Sequence, residues 1–196
     1  EIHKKELYSA AKAQEELLLT FINLSTDYLI SGQIQGQKIF EINFRKITEE
    51  RQRYILEGWS TLISLSTEKP HSITIKNCSL LDYETLAPFM HNQVQSLHLI
   101  ECPKFSDSDL WFITKLCPQL QELALSGTHN IKFPNKRFLT TEEINIPGLT
   151  QIEIVNCKNL VQFILKAPLL KRVLLKDCNN LNDFKAFHQV LDSLLK

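Results

Sequence analysis

One short pattern recurs five times along this 196-residue chain, and few architectures can accommodate it. The segments HSITIKNC, VQSLHLIEC, LQELALSGT, LTQIEIVNC and LKRVLLKDC align on the form LxxLxLxx(C/T). Their apolar pairs are Ile73/Ile75, Leu97/Leu99, Leu123/Leu125, Ile152/Ile154 and Val173/Leu175. Between the first members of successive pairs the steps are 24, 26, 29 and 21 residues. Apolar, polar, apolar is the order expected of a strand with one buried face, because successive side chains point to opposite sides. One such strand alone has nothing to bury its pair against. Stacked copies cover one another, so the pattern predicts short parallel strands side by side over one continuous core. The residue that follows, Cys78, Cys102, Thr128, Cys157 or Cys178, falls where the chain turns away. A small side chain with a weak donor can bond backbone carbonyls there.

The periods match those of leucine-rich repeats, about 20–29 residues. Within them, FITKLCPQLQELALSGTHNI resembles the cysteine-containing repeats of F-box/leucine-rich repeat ubiquitin-ligase receptors, in which a helix ends in Leu-Cys-Pro and the next strand follows at once. Leu116, Cys117 and Pro118 supply that ending. CKNLVQFILKAPLLKRVLLKDC resembles the shorter, irregular repeats of plant-type members, and similar repeats occur in effectors that bacteria deliver into host cells. The resemblance covers roughly residues 70–181 and implies an α/β leucine-rich repeat solenoid: a curved parallel sheet on the concave side, with helices and extended segments on the convex side. Two departures stand out. Thr128 replaces a Cys ahead of a lengthened segment, 128–148, and no F-box is visible. The stretch EELLLTFINLSTDYLI has the apolar density of one but neither its Leu-Pro opening nor its Trp-containing close. A ligase role therefore rests on analogy alone.

Three regions are expected. Residues 1–38 read as a helical N-terminal cap, with Leu7, Ala10, Ala11, Leu17, Leu18, Phe21 and Ile22 near helical spacing and SGQIQGQ at 31–37 as a turn or loop. Residues 39–181 hold the repeats, five clear and one degenerate, the latter carrying Ile42 and Phe44 as its apolar pair and Ile47 in place of Cys. Residues 182–196 read as a C-terminal capping helix with Phe184, Phe187, Leu191 and Leu194 inward. Between strands, Asp82 or Ser79 is placed to cap YETLAPFMH, and Ser106 or Ser108 to cap DLWFITKL. The 21-residue repeat has room only for an extended segment opposite its strand.

Alternation also assigns the solvent side of the strands. The candidate protein-binding residues are Lys76, His98, Ile100, Glu101, Glu122, Ala124, Glu153, Val155, Arg172, Leu174 and Lys176. Within this set Ile100, Ala124, Val155 and Leu174 are expected to form an apolar stripe flanked by charge. The insertion, with Lys132, Lys136, Arg137, Glu142, Glu143, Phe133 and Phe138, is either a further contact element or packs its aromatics back on the coil.

Composition removes other classes. Lys+Arg and Asp+Glu both number 22, so the electrostatic footprint of a nucleic-acid binder is missing, and no polybasic anchor or spanning segment points to a membrane. The five Gly fit neither GxGxxG nor a P-loop. Cys and His lack zinc spacing, so no metal or other cofactor is expected, and an odd Cys count suits a reducing cytoplasm, which is a host cytosol if the chain is a delivered effector. The opening EIHKKELYSAAK has no signal-peptide core, and the chain is expected to begin inside a longer protein. His98 and Glu122 form a conceivable base pair, but no motif supplies a nucleophile, and Asp107 and Asp109 sit where acidic residues cap a helix. The expectation is a monomeric, non-enzymatic module binding another protein as adaptor, substrate receptor or effector. The alternatives are an inhibitor covering a partner enzyme's active site, or the targeting arm of an enzyme whose catalytic domain precedes this chain.

Overall fold

In a computed structural model, residues 29–34, 37–65, 69–131, 144–161 and 165–181 are described. They run β1 (Leu29–Ile34), β2 (Gln37–Asn43), α1 (Glu49–Leu65), β3 (Ser72–Lys76), α2 (Tyr83–Leu86) with a 3₁₀ turn at Ala87–Phe89, and β4 (Ser96–Ile100). After these come α3 (Asp107–Leu116), β5 (Glu122–Ser126), β6 (Ile144–Asn145), β7 (Gln151–Val155), β8 (Leu165–Lys166) and β9 (Arg172–Lys176). The architecture is α/β. Strands β2, β3, β4, β5, β7 and β9 form a six-stranded parallel array in chain order, and β1 adds an antiparallel edge.

The register is uniform. Ile73, Leu97, Leu123, Ile152 and Val173 pair in one file, and Ile75, Leu99, Leu125, Ile154 and Leu175 in the next but one. Both files are sealed from β3 to β7, and only at β9 do Val173 and Leu175 become partly exposed. The covering layer keeps the same order: α1 packs on the 3₁₀ turn, α2 on α3, α3 on β6, and β6 pairs in parallel with β8. Among the described residues the 21-residue repeat holds an extended piece, β8, opposite its strand. Leu86, Phe89, Leu110, Ile113, Ile144 and Leu165 fill the space between the layers.

Each coil leaves its strand in the same way. The residue before the Cys or Thr adopts a left-handed conformation, φ 57° at Asn77, 53° at Glu101, 63° at Gly127, 54° at Asn156 and 56° at Asp177. The thiol then turns inward: Cys102 donates to the carbonyl of Ile75 at 3.7 Å, Cys157 to Leu125 at 3.8 Å and Cys178 to Ile154 at 3.7 Å, each on the preceding strand. Two residues later a second ladder appears that the sequence reading missed. Asn130, Asn159 and Asn180 donate through Nδ2 to the carbonyls of Pro103, His129 and Lys158 in the coil before, at 2.8, 2.7 and 2.6 Å. The recurring x-Asn-(Ile/Leu) after the Cys or Thr was its signal.

Helix starts follow local chemistry. Asp82 Oδ1 accepts from Thr85 N and caps α2. At α3, Asp109 Oδ2 accepts from Ser106 N at 2.8 Å while its Oδ1 accepts from Tyr83 N, so one carboxylate ties the starts of α2 and α3 together. That structural duty accounts for Asp109.

Three expectations need correction. Residues 31–37, read as a turn or loop, lie mostly in the β1/β2 hairpin, so the helical cap does not extend through 29–38. The pair of the degenerate repeat is Phe40 and Ile42, aligned with Ile73 and Ile75, not Ile42 and Phe44. Phe40, Ile42 and Phe44 alternate and are all buried, so a slip of two residues leaves the pattern unchanged and only pairing decides the register. The 17-residue α1 was not foreseen, although Ile55, Leu56, Trp59 and Ile63 carry helical spacing and pack on the core. The expected helices within 4–28 and 182–196, and insertion residues 132–143, lie outside the described residues.

Gly127 combines a left-handed backbone with contact: an added Cβ would lie 2.4 Å from the Glu101 carboxyl carbon. Gly127→Ala is expected to lower stability by about 1–2 kcal/mol, and Gly127→Asn by less, since Asn tolerates this conformation. Urea unfolding of both variants at constant m-value checks the order.

Candidate functional site

Positions one, three and five of each strand point away from the core and tile the open side of the sheet. The parallel register arranges them in three files. The first runs Ile39, Ser72, Ser96, Glu122, Gln151, Arg172; the middle runs Glu41, Thr74, His98, Ala124, Glu153, Leu174; the last runs Asn43, Lys76, Ile100, Ser126, Val155, Lys176. Ten of the eleven candidate residues lie in these files, and Glu101 stands just past the end of β4. They are half-buried from β3 to β7, while Glu101, Arg172, Leu174 and Lys176 are exposed.

The apolar residues do not form a straight stripe. Ile100 and Val155 share the last file with Ser126 between them, and Ala124 and Leu174 share the middle file with Glu153 between them. The result is a zigzag from β4 to β9, with Leu174 38% exposed at its end. Thr74, on the outward side by alternation, is 8% exposed, flanked in its file by the larger Glu41 and His98.

Electrostatics divide the face. On the β2/β3 side Lys76 Nζ pairs with Glu41 Oε1, and Asn77 Nδ2 donates to Asn43 Oδ1 at 2.8 Å, so the Lys76 charge is already met. Glu41 and Asn43 belong to the face but were missed, because the candidate residues were drawn from the five clear copies alone. In the centre, Ser96 Oγ donates to Glu122 Oε2 at 3.3 Å and lies 3.1 Å from His98 Nε2, with Glu122 Oε2 4.0 Å from that same nitrogen. A serine, base and orienting acid in series would need the acid on the other ring nitrogen; here both address Nε2, as in a polar surface cluster. On the β7/β9 side Glu153, Arg172 and Lys176 form no ion pair among the described residues. Glu101 lays its carboxylate over the space that Gly127 leaves empty.

The cysteines stand behind the face. Cys78, Cys102, Cys117 and Cys157 are buried, and burial pushes their thiols up, to about 11 for Cys78 and about 12 for Cys102 and Cys117. Cys117 Sγ lies 3.6 Å from Met90 Sδ. Thiols held protonated are weak nucleophiles and poor metal ligands. Among the described residues no group of three or more His, Cys, Asp or Glu is placed to hold a metal ion, and no helix is long and apolar enough to cross a membrane. Trp59 packs edge-on to Phe40 at 5.5 Å, while Trp111 touches Phe112 and carries Lys115 Nζ 5.0 Å above its ring.

Comparison of the chain with family models, with curated proteins and with solved structures gives no match.

At pH 8, iodoacetamide is expected to label half-buried Cys178 first in the folded protein, with Cys78, Cys102, Cys117 and Cys157 reacting only on unfolding. Peptide mapping after timed quenching reads the order; comparable rates at all five would contradict the buried thiol ladder.

Proposed function

We propose that this chain is a leucine-rich repeat module that binds another protein across the open, concave face of its sheet, with no chemistry of its own and no cofactor. The observation that carries this reading is the outward-facing zigzag of Ile100, Ala124, Val155 and Leu174 interleaved with charged side chains on an in-register sheet. Apolar contacts bordered by charge are what a protein interface needs, one for affinity and the other for choice of partner.

The repeat reading is supported by the uniform strand exits and by the thiols of Cys102, Cys157 and Cys178, which bond a carbonyl of the preceding coil. Burial of those thiols suits work in a reducing cytosol, whether that of the producing cell or of a host. The size of the face sets the kind of contact. Six strands about 4.8 Å apart and five residues long span roughly 24 by 16 Å, about half the ~800 Å² per partner of a standard interface. Such a face suits one segment, loop or helix of the partner. An adaptor or substrate receptor would use it in this way, and an inhibitor would press it against an active-site cleft.

The test is capture from lysate with the whole chain, beside a variant carrying Ile100→Asp, Val155→Asp and Leu174→Asp whose fold is verified by circular dichroism. A specific captured protein reduced at least tenfold by the folded variant is the expected result. An equal catch would move the contact away from this face.

A further inference from the structure

The two halves of the open face between β5 and β9 are charged oppositely, and this defines the chemistry of what lies there. Ala124 is the smallest side chain of the middle file, set between the larger His98 and Glu153, with Glu122 two residues before it on its own strand. A side chain that descends onto Ala124 lies beside two carboxylates: Glu153, without an ion pair among the described residues, and Glu122, whose Oε2 accepts from Ser96 Oγ at 3.3 Å and lies 4.0 Å from His98 Nε2. Two strands further along the same file stands Leu174, exposed and flanked on its own strand by Arg172 and Lys176, both exposed and likewise without an ion pair among the described residues. The β2/β3 end offers no comparable contrast, since Glu41 and Lys76 neutralise each other.

Ala124 and Leu174 are separated by two strand spacings, about 9.6 Å. A polyproline-II segment repeats every three residues and rises about 9.3 Å per repeat. It therefore brings residues i and i+3 down on the same side at the distance between these two positions. A β-strand places i and i+3 on opposite sides and matches less well.

We infer that the middle file binds a polyproline-II-like segment of another protein that carries a Lys or Arg over Ala124 and, three residues away, an Asp or Glu over Leu174. The basic side chain sits between Glu122 and Glu153, the acidic one between Arg172 and Lys176, and the residues between them cross Glu153 and the flank of Val155. This deepens the reading of the open face as a protein-binding surface and rests on it. The segment can run in either direction provided the order of its charges reverses with it, Lys-x-x-Glu one way and Glu-x-x-Lys the other.

Fluorescein-labelled nine-residue peptides centred on Lys-Pro-Pro-Glu, Lys-Pro-Pro-Lys and Glu-Pro-Pro-Glu, titrated with the whole chain and read by anisotropy at low salt, test this. The mixed-charge peptide is expected to bind about tenfold more tightly than either single-sign peptide, with the margin shrinking as salt rises. The folded double variant Arg172→Glu/Lys176→Glu should turn the preference toward Lys-Pro-Pro-Lys, and Glu122→Gln/Glu153→Gln should abolish discrimination between Lys-Pro-Pro-Glu and Glu-Pro-Pro-Glu. Equal binding of the three peptides, no binding at millimolar concentration, or a preference unmoved by both variants overturns the inference. If the peptides fail while the Asp variant still loses its captured protein, only the charge-spaced segment is wrong; if that capture is unchanged, the open-face reading itself falls.

Discussion

Everything in this structure depends on the inability of one coil to bury its own apolar pair. A five-residue strand with two inward side chains becomes stable only when the same pair above and below covers it. Register is consequently not free. A slip of one residue would turn Leu97 and Leu99 to water and His98 inward. Backbone bonding reinforces this at the start of each strand. The carbonyl of His71 accepts from both Gln95 and Ser96, that of Gln95 from Gln121 and Glu122, and that of Thr150 from Lys171 and Arg172. At the strand exits the left-handed residue donates its N–H to the coil after it, Asn77 to Ile100, Glu101 to Ser126 and Gly127 to Val155, while the thiol and the Asn amide bond to the coil before. Burial selects the register, and these polar ladders hold it.

The array therefore has ends, and they differ. At β2 the sheet is closed by the antiparallel β1 and by the ring contacts of Phe40 with Trp59 and Phe89. At β9 the inward Val173 and Leu175 are only partly covered, and Leu174 between them is exposed.

Much of this was legible in the sequence, for reasons that particular residues make plain. The strands β3, β4, β5, β7 and β9 each carry two apolar residues around one variable position, followed by a residue chosen for a tight turn, so pattern and punctuation agree. β2 failed that test because Phe40, Ile42 and Phe44 offer two equivalent pairs and no Cys marks the exit. Its misplacement set Glu41 opposite Ser72 and Arg45 opposite Lys76, and so hid the partner that removes the Lys76 charge from the candidate surface. The β1 strand was hidden because Gly and Gln in SGQIQGQ look like loop composition, whereas pairing with β2 overrides that preference. The Asn ladder lay in plain view but needs three coils side by side before its purpose appears.

The five repeats also act as an alignment contained within one chain. At the inward positions every copy carries Ile, Leu or Val, because one job is repeated five times. At the outward positions the copies share almost nothing: Thr74, His98, Ala124, Glu153 and Leu174 occupy one file, and Lys76, Ile100, Ser126, Val155 and Lys176 another. A surface needed only for solubility would be satisfied by the same few charged side chains in each copy. Here the same backbone positions hold a hydroxyl, an imidazole, a methyl, a carboxylate and an isobutyl group in succession. Stability requires uniformity on one side of this sheet and leaves the other free, and the variety on the free side gives each stretch of it a different chemistry.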